Sequence, residues 1–200
     1  MTVPWKNSMA DADHWPEGFF YQDGFLQASE ANAPCALLER ELGWQQYPIV
    51  LFGRRMMQPR LTAWCADPGL TYTYSGTRLE SACWHPELSR LRARLEARFD
   101  CPFNSVLVNA YRDGSDAMGW HSDDEPELGE RPRIASVSLG APRKFRLRRK
   151  GEGRSHGYWL EPGSLLLMSG TSQRDWQHSI PRTRKPVSIR INLTFRCLGK

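Results

Sequence analysis

Ser188-Ile-Arg-Ile-Asn-Leu-Thr-Phe-Arg196 alternates without a break, with Ile189, Ile191, Leu193 and Phe195 on one side and Ser188, Arg190, Asn192, Thr194 and Arg196 on the other. Period-two alternation marks a β-strand with two unlike faces. The polar face sets two guanidiniums and an amide in a line of roughly 20 Å. Arginine presents a planar fork of donors that suits carboxylates and phosphates, so such a line can hold a small dianion. A solvated strand face is the plainer reading of this strand alone. The choice between the two rests on residues upstream.

Going back from this strand, the chain after Cys101 is a series of short strand-like runs at 105–111, 133–139, 144–149, 156–160, 164–169 and 176–180. Turn signals at Asp113-Gly114, Gly140, Gly151, Gly153, Pro162-Gly163 and Pro181 separate them. Short strands at this spacing point to a sandwich, barrel or jelly roll. The first hundred residues read differently. Residues 1–25 suggest an irregular arm, and 29–42 a short helix in which Pro34 is tolerable only in the first turn. The runs 47–52 and 70–75 read as strands. Residues 86–99 form the clear amphipathic helix, with Leu88, Leu91, Leu95 and Phe99 as its stripe. The expected architecture is mainly β with flanking helices in one domain, a 1–100 extension leading into a 101–200 β-core.

Two hundred residues can bury a core without staples, and 40% hydrophobic content with 8 Trp, 8 Phe and 6 Tyr is a globular composition. The five cysteines are odd in number and scattered, without a CxxC pair. This argues against a disulfide framework or a thiolate zinc site and for a reducing compartment. No run approaches membrane-spanning length, so a cytoplasmic protein without a membrane partner is the expectation. The net charge is +5, but its distribution says more. Acids gather between Asp113 and Glu130. Bases crowd Arg143, Lys144, Arg146, Arg148, Arg149 and Lys150, then Arg182, Arg184 and Lys185. The pattern suits a polyanion held beside an acidic site.

His121-Ser122-Asp123 puts an imidazole and a carboxylate on the same side of an extended chain, where both could grip one metal. Alone the pair is a weak signal. His178 stands inside a later strand, and a lone histidine there would read as a core residue. Two histidines and one carboxylate on a β-core are, however, the ligand set that leaves positions open on non-haem Fe(II). Such a centre needs a co-substrate to supply electrons. A dicarboxylic keto acid can chelate the metal at one end and meet an arginine at the other. The last strand offers that arginine, and Asn109 and Tyr111 offer polar contacts.

Together, Asn109-Ala-Tyr111-Arg-Asp-Gly114, His121-Ser-Asp123-Asp-Glu125, Ser136-Val-Ser-Leu-Gly140, His178 and Arg190-Ile-Asn-Leu-Thr-Phe-Arg196 resemble the AlkB family of Fe(II)- and 2-oxoglutarate-dependent nucleic-acid dealkylases. These motifs cover about half the chain in the family's order. The resemblance implies a double-stranded β-helix (jelly-roll) core with an N-terminal nucleotide-recognition extension. It makes His121, Asp123 and His178 the iron ligands. It makes Asn109, Tyr111, Arg190, Asn192 and Arg196 the 2-oxoglutarate pocket, with Arg190 on the co-substrate carboxylate and Arg196 also helping to arrange the oxygen chemistry. Glu125, with Asp124 beside it, matches the acidic position that meets the damaged base. The implied activity is a dioxygenase that uses O2 to demethylate 1-methyladenine and 3-methylcytosine in DNA, releasing formaldehyde, succinate and CO2.

The front end is similar to the duplex-repairing members. Tyr72, Tyr74 and Ser75 fall in a stretch like their nucleotide lid, where an aromatic stacks on an extruded base. Phe52 falls at the tip of a hairpin whose aromatic enters the vacated stack, and Arg60 lies where a basic residue follows. The plainer alternatives are Tyr72 and Tyr74 as sheet residues and Phe52 as core. Met56-Met57 departs from the polar stretch expected after that hairpin. Double- and single-stranded DNA both remain open as substrate, and a monomer is expected. The competing readings are a related dioxygenase acting on RNA or protein, a jelly-roll metal hydrolase with no need of Arg190 and Arg196, and a non-catalytic nucleic-acid module.

Overall fold

The computed structural model describes residues 15–51, 53–74, 77–79 and 81–199. Its elements in chain order are β1 (Phe19–Gln22), α1 (Ala28–Glu41), β2 (Pro48–Leu51), β3 (Arg54–Met57), β4 (Leu61–Ala66), β5 (Tyr72–Tyr74), β6 (Thr77–Leu79), α2 (Pro86–Phe99), β7 (Ser105–Tyr111) and β8 (Met118–His121). There follow β9 (Ile134–Gly140), β10 (Arg143–Arg149), β11 (His156–Leu160), β12 (Leu165–Met168), α3 (Ser172–Asp175), β13 (Trp176–Ile180) and β14 (Arg190–Arg196).

Ten strands build a jelly roll of two sheets. The larger has the order β1-β12-β9-β14-β7-β4, the smaller β11-β10-β13-β8, and all the pairings are antiparallel. The strand quoted at the outset is central to the larger sheet, with β7 on one side and β9 on the other. Its two faces divide the molecule. Ile191, Leu193 and Phe195 are fully buried with Leu38 of α1 and Leu88, Leu91, Leu95 and Phe99 of α2, so both helices cover the sheet's outer side. Arg190, Asn192, Thr194 and Arg196 point the other way, into the space between the sheets. They too are buried. The solvated-face reading is therefore wrong.

The sequence expectations need several corrections. The segment 1–25 is not an irregular arm throughout, because β1 pairs with β12 at the edge of the larger sheet. Pro34 lies in the middle of the 14-residue α1 and not in its first turn. Its side of the helix is buried with Ala31, Cys35 and Leu38. Packing there offsets a proline cost of about 3 kcal/mol. The last strand begins at Arg190 instead of Ser188, since its partners end at Gly140 and Tyr111 and leave Ile189 without a ladder. A boundary at residue 100 also does not separate the sheets, for β1 and β4 belong to the same sheet as β7, β9, β12 and β14. Two small hairpins, β2–β3 and β5–β6, stand apart from both sheets. Phe52 and Ser75 lie outside the described residues.

Candidate metal and co-substrate site

The smaller sheet brings the metal residues together. His121 ends β8 and is the cross-strand partner of His178 in β13, so both imidazoles share the inward face with ring centroids 4.1 Å apart. Asp123 lies two residues past His121, and one ligand atom from each of the three lies within 4.8 Å of the others. The Gly119 carbonyl sits 3.0 Å from His121 Nδ1 and turns Nε2 toward Asp123, whose Oδ1 is 3.9 Å away. Such outer contacts fix tautomer and ring orientation.

Asp123 is the most constrained of the three. Its backbone N–H donates to Gln173 Oε1 of α3 at 2.9 Å, and Arg196 donates to its Oδ1 at 2.8 Å. Ser122 Oγ donates to the Trp176 carbonyl, a second tie between this loop and the start of β13. Burial pushes the carboxyl pKa up, but the Arg196 guanidinium and the two imidazoles outweigh it and hold it at about 2. His178 is pushed the other way, to about 3, by burial and then by the neighbouring His121. Burial lowers His121 as well. The resting site thus offers two neutral imidazoles and one carboxylate, the protonation states that metal ligation requires.

The same cleft continues between the sheets. Asn109, Tyr111, Arg190, Asn192 and Arg196 all line it, joined by Ser136, Thr194 and Met168. Arg190 is 1% exposed and donates to Ser138 Oγ at 3.0 Å and Asn192 Oδ1 at 2.6 Å. Its Cζ lies 5.3 Å from the Tyr111 ring centroid. Its Nε has no hydrogen-bond partner, and it pairs with no carboxylate among the described residues. Burial, partly offset by Tyr111, lowers its pKa to about 10. A buried cation without a counter-ion is costly unless something supplies one.

Some expected site residues stand elsewhere. Arg60 is 4% exposed, its Nε donating to Asn109 Oδ1 at 3.0 Å, with Thr62 Oγ1 at 3.2 Å from the same oxygen. It braces the cleft wall and is not a surface group. Asp124 turns outward onto Lys150 Nζ at 3.1 Å and does not line the cleft. Glu125 is half-buried at the start of a 3-10 turn, Pro126–Leu128. Tyr72 and Tyr74 lie in β5 of the separate β5–β6 hairpin. Arg143 is not a phosphate contact: it is buried, and its guanidinium donates to three backbone carbonyls. Gln173 was missed, since a buried glutamine on a four-residue helix leaves no periodic trace. Ser136 and Ser138 could have been found, because they alternate with Val137 in β9.

Residues 18–196 match the family model of the 2OG-Fe(II) oxygenase superfamily. The chain belongs to that superfamily. Within it, the chain is similar to AlkB homologues. It is 41% identical over 183 residues to the alpha-ketoglutarate-dependent dioxygenase alkB homolog 3 of Bos taurus, covering 86% of this chain and 63% of that one. It is 38% identical over 204 residues to the DNA oxidative demethylase ALKBH2 of Arabidopsis thaliana, covering 88% and 65%. The chain thus spans a little under two thirds of the length of these curated relatives. The solved structure of OsALKBH1 superposes with a TM-score of 0.67 at 18% identity over 92% of this chain and 98% of that one, a likeness of fold.

The groups this superfamily uses fit the residues present. Two neutral imidazoles and a carboxylate within 4.8 Å of one another suit Fe(II). The uncompensated guanidinium of Arg190, in the same cleft, suits the far carboxylate of 2-oxoglutarate.

Proposed function

We propose that this oxygenase demethylates alkylated bases in DNA, 1-methyladenine and 3-methylcytosine, releasing formaldehyde. The observation that carries the reading is one cleft holding both the His121/Asp123/His178 set and the buried, counter-ion-free Arg190. A metal hydrolase of the same fold has no use for that arginine. Fe(II), 2-oxoglutarate and O2, when bound, supply the oxidising equivalents, with succinate and CO2 as the other products. The protein's part is to hold and exclude. His121, Asp123 and His178 would hold the metal; Arg196 fixes the Asp123 carboxylate; Arg190, with Tyr111 and Asn192, would anchor the dianion. An N-methyl group hydroxylated at its carbon then loses formaldehyde and restores the base.

A nucleic-acid substrate is supported by the outer face of the smaller sheet. β10 alternates, so Lys144, Arg146 and Arg148 all point outward, and none pairs with a carboxylate among the described residues. Arg148 and Arg146 lie over Trp120 with Cζ at 4.3 and 5.4 Å from its ring, and Trp159 is 54% exposed beside Lys144. Interleaved cations and aromatics suit phosphates and bases. The name of the Arabidopsis relative, DNA oxidative demethylase, agrees. The five free cysteines fit a reducing, cytoplasmic setting, and no helix among the described residues is long and apolar enough to cross a membrane.

The test is anaerobic loading with Fe(II) and 2-oxoglutarate, then oxygen, with methylated DNA and RNA oligonucleotides scored for formaldehyde. The expected result is release from DNA that depends on 2-oxoglutarate. Faster release from methylated RNA moves the substrate to RNA, and no release from either removes the reading.

A further inference from the structure

Arg143 opens β10 and is 2% exposed, a second buried guanidinium in the same region as Arg190. It donates to the carbonyls of Asp113 at 2.9 Å, Asp116 at 2.8 Å and Pro181 at 2.9 Å. Three segments meet at this one side chain: the turn after β7, its end near β8, and the exit of the His178 strand. The nearest acids do not neutralise it directly. Asp116 is taken by Arg112, with contacts of 2.8 and 2.9 Å, and Asp113 bonds Ser115. Thr183 N–H also donates to the Gly114 carbonyl, and the approach is so close that a Cβ at Gly114 would collide with the Thr183 carbonyl. The 181–185 loop is thereby fastened to the 113–116 turn beside Arg143.

The ring of Tyr111 links this clamp to the cleft. Arg143 Cζ lies 5.5 Å from the Tyr111 centroid, and Arg190 Cζ lies 5.3 Å from the same centroid. Tyr111 and Arg190 are cross-strand partners, and the Tyr111 hydroxyl supports the Arg190 guanidinium. Two buried cations therefore share one aromatic ring, and neither pairs with a carboxylate among the described residues. Cation–π contacts of this kind strengthen as the pair is withdrawn from water. A dianion entering the cleft meets the field of both, although only Arg190 lines the wall.

We propose that Arg143 is a positioning residue that makes the cleft selective for a keto acid with a second carboxylate. It sets the plane of Tyr111, holds Arg190 in line, and adds positive potential at the far end of the cleft. The inference rests on the co-substrate reading above. Its signature is selectivity. Losing Arg143 weakens a ligand that reaches Arg190 and spares one that ends short of it.

The experiment measures, by calorimetry on the Mn(II)-loaded full chain, the affinities of 2-oxoglutarate and of 2-oxobutanoate, which keeps the keto-acid head and lacks the far carboxylate. Arg143→Met should weaken 2-oxoglutarate binding about tenfold or more and change 2-oxobutanoate by less than about twofold. Arg143→Lys keeps the charge without the fork and should fall between, and it stands in should the methionine variant fail to fold. Parallel loss of both acids makes Arg143 merely structural and overturns the inference, as does unchanged binding of 2-oxoglutarate. Wild-type protein that binds no 2-oxoglutarate overturns the co-substrate reading itself, an outcome distinct from either.

Discussion

Replacing Arg190 by methionine should leave the protein without its co-substrate no more stable than wild type and should abolish the stabilisation that the co-substrate brings. The guanidinium sits in the interior at a pKa of about 10 where the ordinary value is 12.5. For a cation this is a depressed folded-state value, so the charged form is less favourable folded than unfolded. The penalty holds at every pH below about 10 and is relieved only between there and 12.5. At about 1.4 kcal/mol per pH unit it amounts to roughly 3 kcal/mol. Methionine fills similar space and removes that penalty, but forfeits the bonds to Ser138 and Asn192, at about 1.5–3 kcal/mol each because the donor is charged. The lost bonds offset the removed penalty or exceed it by up to about 3 kcal/mol, so the variant without the dianion should melt at or below the wild-type Tm. Adding 2-oxoglutarate at a hundred times its Kd should raise wild type by about 2.7 kcal/mol and leave Arg190→Met nearly unmoved, so the gap between the two melting curves widens. Thermal unfolding of Mn(II)-loaded proteins with and without 2-oxoglutarate reads this directly. A variant more stable than wild type in the absence of the dianion, or one that gains as much from it, refutes the argument.

Other substitutions probe the remaining parts of the site. Asp123→Ala takes away the carboxylate of the ligand set, and formaldehyde release should fall below detection; retained turnover sinks the iron assignment. Gln173→Leu leaves the Asp123 amide without its acceptor and should weaken Mn(II) binding about 10–100-fold, with turnover near normal once metal is saturating. Equal metal affinity in wild type and variant would return Gln173 to a purely structural role. Phe52→Ala should slow repair of double-stranded DNA more than of single-stranded DNA, and equal losses on both would argue that Phe52 does not enter the duplex.

What was legible in the sequence follows from which residues alternate and which do not. β14 and α2 declare themselves because each has one apolar and one polar side, and the runs Leu88, Leu91, Leu95, Phe99 and Ile191, Leu193, Phe195 are all buried as their periods require. β1 and β4 give no such sign. Phe19, Phe20 and Tyr21 are all buried, as are Thr62 to Ala66, because these strands are covered on both faces; a short run buried on both sides has no period to detect. The basic stretch misled for a different reason. Counting charges from Arg143 to Lys150 ignores direction, whereas the pleat sends Arg143 inward with Phe145 and Leu147 and sends Lys144, Arg146 and Arg148 outward. Arg60 lay in a bend before β4 with no period at all, so nothing local marked it as a brace for Asn109.

The placement of the arginines is itself a consequence of the core. Side chains in a strand alternate with period two, so a slip of β14 by one residue against β7 and β9 would carry Ile191, Leu193 and Phe195 into the polar cleft and drive Arg190 and Arg196 against α1 and α2. Burying three such apolar side chains favours the native register by about 1.5–3 kcal/mol each. That sum exceeds the roughly 3 kcal/mol spent on holding Arg190 in the interior without a counter-ion. The uncompensated cation is therefore tolerated because the opposite face of the same strand leaves the chain no better register. The proposed site for the dianion is thus shaped by packing on the opposite side of the sheet.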